Sequence, residues 1–115
     1  MSLPRVVNLA VENWQEHPRF PGVSFQALLT TLDNPFASVN VIQVPQGGQV
    51  GRHQHPQQFE TIWVIRGKAI LTLDRTEVFI RDGQIIAIPI GLEHSLRNDG
   101  SDLVELLTFF TPPLL

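Results

Sequence analysis

Cysteine is absent from this chain of 115 residues, so no disulfide holds the fold and no thiolate takes part in chemistry. The absence fits a reducing compartment, and the expected location is the cytoplasm. Runs of lysine or arginine are also absent, and the net charge is -3. Because binding to nucleic-acid phosphates needs a basic patch, no nucleic-acid partner is expected.

Long apolar runs are missing as well. No apolar run approaches the roughly 20 residues that cross a bilayer, so no membrane partner is expected. The first ten residues, 1–10, lack the apolar core of a signal peptide, and none is predicted. A chain of this length forms one domain, whose small core oligomerisation would help to stabilise.

The chain divides into an arm and a body. Residues 1–22 contain three prolines and are interpreted as an irregular N-terminal arm, whereas residues 23–115 form the domain. Val11–His17 is expected to make one short helical turn, with Asn8 as its cap. Trp14 and Phe20 are expected to pack the arm onto the body.

Residues from Val23 onward read as short strands separated by turns. Many strands spaced about 8–12 residues apart predict an all-β sandwich or barrel. No long segment with a 3.6-residue apolar period competes with that reading. The predicted strands are Val23–Thr31, Ser38–Val44, Phe59–Ile65, Ala69–Leu73, Glu77–Ile80, Gln84–Ile88 and Leu103–Phe110.

The strand that follows Glu60 predicts an apolar outer face. Side chains alternate along a strand, so if Glu60 points inward, Trp63 and Ile65 point outward. A small monomer rarely leaves such a patch exposed. The favoured interpretation is burial against a second copy of the chain, giving a homodimer; the alternative is that the N-terminal arm covers this face.

Three histidines and one glutamate lie in two spaced patterns bounded by glycines. The first pattern runs from Gly47 to Gly67 and the second from Gly83 to Asn98. Three imidazoles and a carboxylate are what a bound divalent metal ion needs. The pattern residues that carry this chemistry are His53, His55, Glu60 and His94.

The chain must bend between two of these candidates. His53 and His55 are two residues apart, so on a strand both rings face the same way. Glu60 has the wrong parity for the same straight strand. Pro56 favours a break, after which the chain can bring Glu60 back on a neighbouring strand. His94 is expected on a separate strand after a tight turn.

The two segments resemble the paired signature motifs of the cupin superfamily at every defining position. They read GGQVGRHQHPQQFETIWVIRG, residues 47–67, and GQIIAIPIGLEHSLRN, residues 83–98. The resemblance implies that residues 23–115 form a single cupin domain, a double-stranded β-helix jelly roll. It also implies the ligands of one divalent metal ion, which would be His53, His55, Glu60 and His94.

The number of ligands bears on the identity of the metal. Four protein ligands would close a tetrahedral zinc site, whereas an octahedral ion would keep two adjacent positions free. Mixed imidazole and carboxylate ligands favour iron or manganese, although nickel, zinc or copper can bind such sites more tightly. A ligating histidine normally donates its other ring nitrogen to a neighbour. The nearest candidates are Gln54, Gln58 and Asn98.

The favoured function is a metal-dependent, oxygenase-like enzyme acting on a small molecule in a largely apolar cavity. One alternative is a non-catalytic module that binds or senses a small ligand. Another is a metal-dependent isomerase or lyase, which would need a general base, and Glu60 is the only candidate. No catalytic residue is assigned. Arg52 is expected to point away from the metal, and His17 is read as a surface residue of the arm.

Overall fold

A computed structural model describes residues 4–9 and 14–115, which form ten β-strands in two antiparallel sheets. Within these residues, no helix long and apolar enough to cross a membrane is present. The strands are β1 (Gln15–Glu16), β2 (Ser24–Leu29), β3 (Ser38–Val44), β4 (Gln49–His53), β5 (Phe59–Arg66), β6 (Lys68–Leu73), β7 (Thr76–Arg81), β8 (Ile85–Ile88), β9 (His94–Arg97) and β10 (Val104–Thr111).

The two sheets face each other as a jelly roll, as the sequence predicted. The six-stranded sheet has the order β1-β2-β3-β10-β5-β8, and the four-stranded sheet has the order β4-β9-β6-β7. Strands that are distant in sequence are neighbours in both sheets, which is the signature of this topology. All seven predicted strands are present, and no end differs from the prediction by more than two residues.

The helical turn expected within the arm, over Val11–His17, is wrong where it can be compared. Residues 11–13 lie outside the described part of the chain. Gln15 and Glu16, however, form β1 and pair with Phe25 and Ser24 of β2. The backbone donors and acceptors of this segment are therefore used by the sheet edge rather than by a helical turn.

Alternation along β5 follows the prediction. Glu60, Ile62 and Val64 are buried, whereas Trp63 between them is 42% exposed. The inward side chains of both sheets meet in one core. Its buried members are Val23, Val44, Val50, Ile62, Val64, Ala69, Leu71, Ile80, Ile88, Leu96, Val104 and Leu106.

The outer face of the six-stranded sheet keeps apolar side chains exposed. Trp63 pairs in register with Leu107 of β10 on one side and with Ile85 of β8 on the other. Ile85 is 61% exposed, and Phe59 at the start of β5 is 52% exposed. The described part of the arm thus does not bury this face.

Candidate metal centre

The predicted ligands converge from both sheets onto the interior. His53 ends β4 and His94 begins β9, where the two residues face each other directly in the ladder, with ring centroids 4.2 Å apart. His55 follows two residues after β4 ends. Glu60 enters from β5 in the other sheet. The bend at Pro56 therefore carries the chain across to the facing sheet, not to a neighbouring strand as expected.

The donor atoms of the four residues lie close enough to share one ion. One ligand atom from each of them can be chosen so that all lie within 4.8 Å of one another. His94 Nε2 lies 3.0 Å from Glu60 Oε1, and His55 Nε2 lies 3.5 Å from the same oxygen. The buried Nε2 of His55 has no hydrogen-bond partner among the described residues. A buried, unpaired imidazole nitrogen facing a carboxylate fits a metal ligand.

Two of the rings are oriented by backbone carbonyls. His53 Nδ1 lies 2.7 Å from the carbonyl oxygen of Gly51, and His94 Nδ1 lies 2.9 Å from that of Leu92. A ring that donates its Nδ1 proton keeps a lone pair on Nε2, the form that binds a metal. Both partners lie two residues before the histidine, so local backbone geometry sets the orientation.

The side chains expected to orient the rings have other partners. Gln58 Nε2 donates to the Pro113 carbonyl at 3.4 Å. Asn98 Nδ2 donates to the carbonyls of Val44 and Asp102, at 3.0 and 2.8 Å, and so ties the loop between β9 and β10 to the end of β3. For Gln54 no hydrogen bond to a ligand is present among the described residues. The expectation that these amides orient the metal ligands is therefore wrong for Gln58 and Asn98.

Electrostatics favours a charged pair at the centre. Burial alone would raise the pKa of Glu60, but His55 and His94 outweigh burial and lower it to about 2. Burial would lower the pKa of His94, but the hydrogen bond with Glu60 and the Leu92 carbonyl raise it overall. Burial lowers the pKa of His53 to about 4, so this ring is neutral at physiological pH. A metal ion would thus find an ionised carboxylate and a neutral His53, and at pH values below the raised pKa of His94 it would also displace a proton from that ring.

Metal binding is therefore expected to release about one proton at pH values below the raised pKa of His94. Protons compete with the metal for His94 Nε2, so affinity should fall about tenfold for each pH unit below that pKa. Calorimetric titration with manganese in buffers of different ionisation enthalpy measures both quantities. An affinity that stayed constant from about pH 7.5 to about pH 5.5 would contradict the assignment of His94 as a ligand.

A cavity of about 270 Å³ opens from the four candidate ligands. Apart from the ligands its wall is mostly apolar, with Arg19 as a cation and Asn40 and Thr108 as neutral polar side chains. The apolar lining residues include Phe20, Phe25, Ile42, Val50, Ile62, Leu71, Leu96, Leu106, Phe110, Leu114 and Leu115. The cavity can therefore surround an apolar ligand body next to a metal-binding end.

His17 is half-buried and lines the cavity, which its reading as a surface residue of the arm did not predict. Its ring centroid lies 4.6 Å from that of Phe20 and 5.4 Å from that of Phe25. Burial and the nearby Arg19 lower its pKa. Phe20 in turn contacts the ring of His53, at 5.4 Å between centroids. The expected packing of Phe20 onto the body is confirmed. This packing was the one feature of the sequence from which the position of His17 in the cavity wall could have been predicted.

The charged residues around the motifs point away from the metal centre. Arg52 forms ion pairs with Glu93 and Asp74, and its side chain is 59% exposed. Arg97 pairs with Glu77 at 2.8 Å. The expectation that Arg52 points outward is confirmed, and its charge is already matched by two acids.

Comparisons with known proteins establish the family. The cupin-domain family model matches residues 40–110, and the chain belongs to that family. Polyketide synthase CurC of Streptomyces cyaneus is 27% identical over 95% of the chain and 70% of the relative. An oxalate-binding protein of Thermotoga maritima is 29% identical over 57% of the chain and 54% of that relative, so the chain spans about half of it.

A solved structure supports the fold. The crystal structure of a predicted oxalate decarboxylase from Thermotoga maritima superposes with a TM-score of 0.85. It is 23% identical, and the superposition covers 94% of this chain and 99% of the other. The jelly-roll architecture is shared, while an identity this low leaves the chemistry to be argued from the site itself.

Proposed function

We propose that the chain is a metal-dependent enzyme of the oxygenase type that acts on a small molecule with a chelating end and an apolar body. The observation that carries the proposal is the position of the four candidate ligands at one end of an apolar cavity of about 270 Å³. The ligands hold the ion, and the cavity walls orient the substrate and exclude water.

The ligand set favours an ion with free coordination positions. Four protein ligands on an octahedral ion leave two adjacent positions, and iron or manganese suits three imidazoles and a carboxylate. When bound, such an ion supplies Lewis-acid and redox chemistry at the end of the cavity. The chain itself supplies the fixed rings of His53 and His94, whose Nδ1 atoms are held by backbone carbonyls.

The mostly apolar lining of the cavity indicates the chemical class of the substrate. Oxalate appears in the name of the Thermotoga maritima relative, an oxalate-binding protein, and in that of the solved structure from the same organism, a predicted oxalate decarboxylase. Oxalate could chelate the ion. It has no apolar surface, however, so its binding would gain no free energy from contact with the apolar wall of the cavity. A ligand with two oxygen atoms at one end and a hydrocarbon or aromatic body uses both parts of the cavity. The similarity to CurC, named as a polyketide synthase, is consistent with such a substrate class.

Oxygen uptake tests the proposal. Iron-loaded protein, prepared anaerobically, is mixed with a panel of chelating compounds such as catechol, acetylacetone and 2-hydroxy-1,4-naphthoquinone, with oxalate as the polar comparison. We expect oxygen consumption with at least one apolar chelator, none with oxalate, and loss of uptake after chelation of the metal. Tight binding of these compounds without any turnover would instead support a binding or sensing module.

An isomerase or lyase reaction has less support, since it needs a base beside the substrate. Glu60 is occupied as a candidate ligand. His17 is the further histidine of the cavity wall, but its Nδ1 accepts the backbone N–H of Arg19, so Nε2 carries the proton of the neutral ring. Neither group offers a free basic atom to a substrate.

We also propose that the outer face of the six-stranded sheet joins a second copy of the chain. Trp63, Ile85 and Phe59 lie together there and are 42–61% exposed, and a self-complementary sheet face is the simplest way to bury them. The cytoplasmic location that the sequence predicts stays a prediction.

Replacing Trp63 with glutamate should weaken self-association at least about tenfold, because a carboxylate would be buried in an apolar interface. The matched control is Phe79→Glu, since Phe79 on β7 is 75% exposed in the other sheet. Sedimentation velocity over a range of concentrations measures both variants. An unchanged dimer in Trp63→Glu, or a monomeric wild type, would contradict the proposed interface.

A further inference from the structure

A polar pair interrupts the apolar wall of the cavity at a distance from the metal ligands. Asn40 on β3 and Thr108 on β10 face each other in the ladder, and both line the cavity. Asn40 is 6% exposed and Thr108 is 1% exposed. Their row continues with Ile62 on one side and Ala27 on the other. Buried polar side chains in an otherwise apolar row are costly unless they are hydrogen-bonded.

The amide of Asn40 lacks a partner. Its Oδ1 makes no hydrogen bond to any residue that the structure describes. The Thr108 hydroxyl donates to the backbone carbonyl of Asn40, at 3.4 Å, and so leaves the side-chain oxygen unsatisfied. Buried acceptors are nearly always paired. Because Asn40 lines the cavity, a small rotation of its amide would bring this buried oxygen into contact with a bound molecule, which could then donate a hydrogen bond to it.

The sheet register fixes where this acceptor lies relative to the metal ligands. Glu60 pairs with Phe110 on β10, one side-chain row away from Thr108. Asn40 lies two strands from β5 and one row from Glu60, a backbone separation on the order of 12 Å. A ligand with a chelating head, a short apolar linker and a polar group at its far end can span that distance.

We infer that Asn40, with Thr108 beside it, is a specificity-determining subsite that binds a neutral hydroxyl group at the end of the ligand farthest from the metal. The inference rests on the proposed function, since the other end of the ligand must chelate the ion. A hydroxyl fits better than an ammonium group because Asn40 is uncharged. Glu60 at the metal is the only acidic side chain among the described residues that line the cavity, so a cation at Asn40 would have no acidic side chain to pair with.

Three hydroxamates that differ only at the far end test the subsite. Hexanohydroxamate, 6-hydroxyhexanohydroxamate and 6-aminohexanohydroxamate chelate through the same two oxygen atoms. Each is titrated by calorimetry into full-length, manganese-loaded protein. We expect the hydroxyl compound to bind about tenfold more tightly than the unsubstituted one, and the amino compound to bind more weakly than either.

The variant Asn40→Leu keeps the branched shape of the side chain and removes its polar atoms. It should abolish the preference for the hydroxyl compound, so that the two neutral probes bind the variant with affinities within about twofold of each other. Gln26→Met is the matched control, because Gln26 Oε1 is also buried without a partner among the described residues, but Gln26 lies outside the cavity. It should keep the preference intact.

The outcomes separate the subsite from the proposed function. Equal affinities for the two neutral probes in the wild type, or an unchanged preference in Asn40→Leu, would overturn the subsite and leave metal chelation standing. Failure of every hydroxamate to bind would overturn the proposed function and the subsite together. Both variants should also raise the melting temperature of the ligand-free protein by about 4 °C, because each removes an unsatisfied buried oxygen. A lower melting temperature in Asn40→Leu would show that this side chain is instead needed to stabilise the fold.

Discussion

Replacing His53 with alanine should lower the affinity for manganese at least about 100-fold, since loss of a group that merely orients a ligand already costs about 10–100-fold. His53 is the cleanest ligand to remove. It is neutral and bonds to the Gly51 carbonyl, so its loss leaves no buried charge unpaired. The His94→Ala change is less informative, because it removes the hydrogen-bond partner of Glu60 at 3.0 Å and would also destabilise the fold.

The matched control is His17→Ala. His17 lines the same cavity and packs on the same Phe20 ring as His53, but it is not among the clustered candidate ligands. Equilibrium dialysis against manganese, with circular dichroism to confirm the β-fold, measures both variants. Full metal affinity in His53→Ala, or an equal loss in His17→Ala, would show that the ligands are assigned wrongly.

Replacing Gly67 with alanine should destabilise the protein by about 3 kcal/mol, a large fraction of the stability of a small domain. Gly67 connects β5 of one sheet to β6 of the other and has a φ of 98°. A Cβ atom there would lie 2.7 Å from the Leu103 carbonyl oxygen and 2.9 Å from Val104 Cα. Both contacts are with backbone, so neither can be relieved by a side-chain rotation.

Gly83→Ala separates the two causes of that loss. Gly83 has a similar φ of 83°, yet a Cβ atom there would meet nothing within 4 Å. This variant should lose only the backbone term of about 1 kcal/mol. Urea denaturation gives both free energies of unfolding. Equal losses of stability in the two variants would mean that the contact between a Cβ atom at residue 67 and the backbone of Leu103 and Val104 does not destabilise the protein.

Glu60 shows how far the sequence leads towards the site. Alternation and the break at Pro56 predict that Glu60 points inward after a turn. They cannot predict that β4 and β5 belong to opposite sheets, because that depends on how distant strands pair. The four candidate ligands could be named in advance because the two segments resemble the cupin signature motifs at every defining position.

The rim and far wall of the cavity could not be predicted. His17 joins the cavity only because β1 pairs with the edge of β2, which places the arm beside Phe25. Asn40 is one of three polar residues in the sequence of β3, and the structure is needed to show that it faces Thr108 and that its side-chain oxygen is unpaired. The groups that orient the rings of His53 and His94 were not predicted for a different reason. The rings are held by the backbone carbonyls of Gly51 and Leu92. Every residue has a backbone carbonyl, so the residue type does not reveal which one acts as a partner.

Metal analysis of anaerobically purified protein tests the central claim most directly, with His53→Ala protein measured alongside. The account predicts close to one iron or manganese ion per chain in the wild type and nearly none in the variant. No stoichiometric metal in the wild type, even after reconstitution with iron, manganese, nickel, zinc and copper in turn, would contradict it.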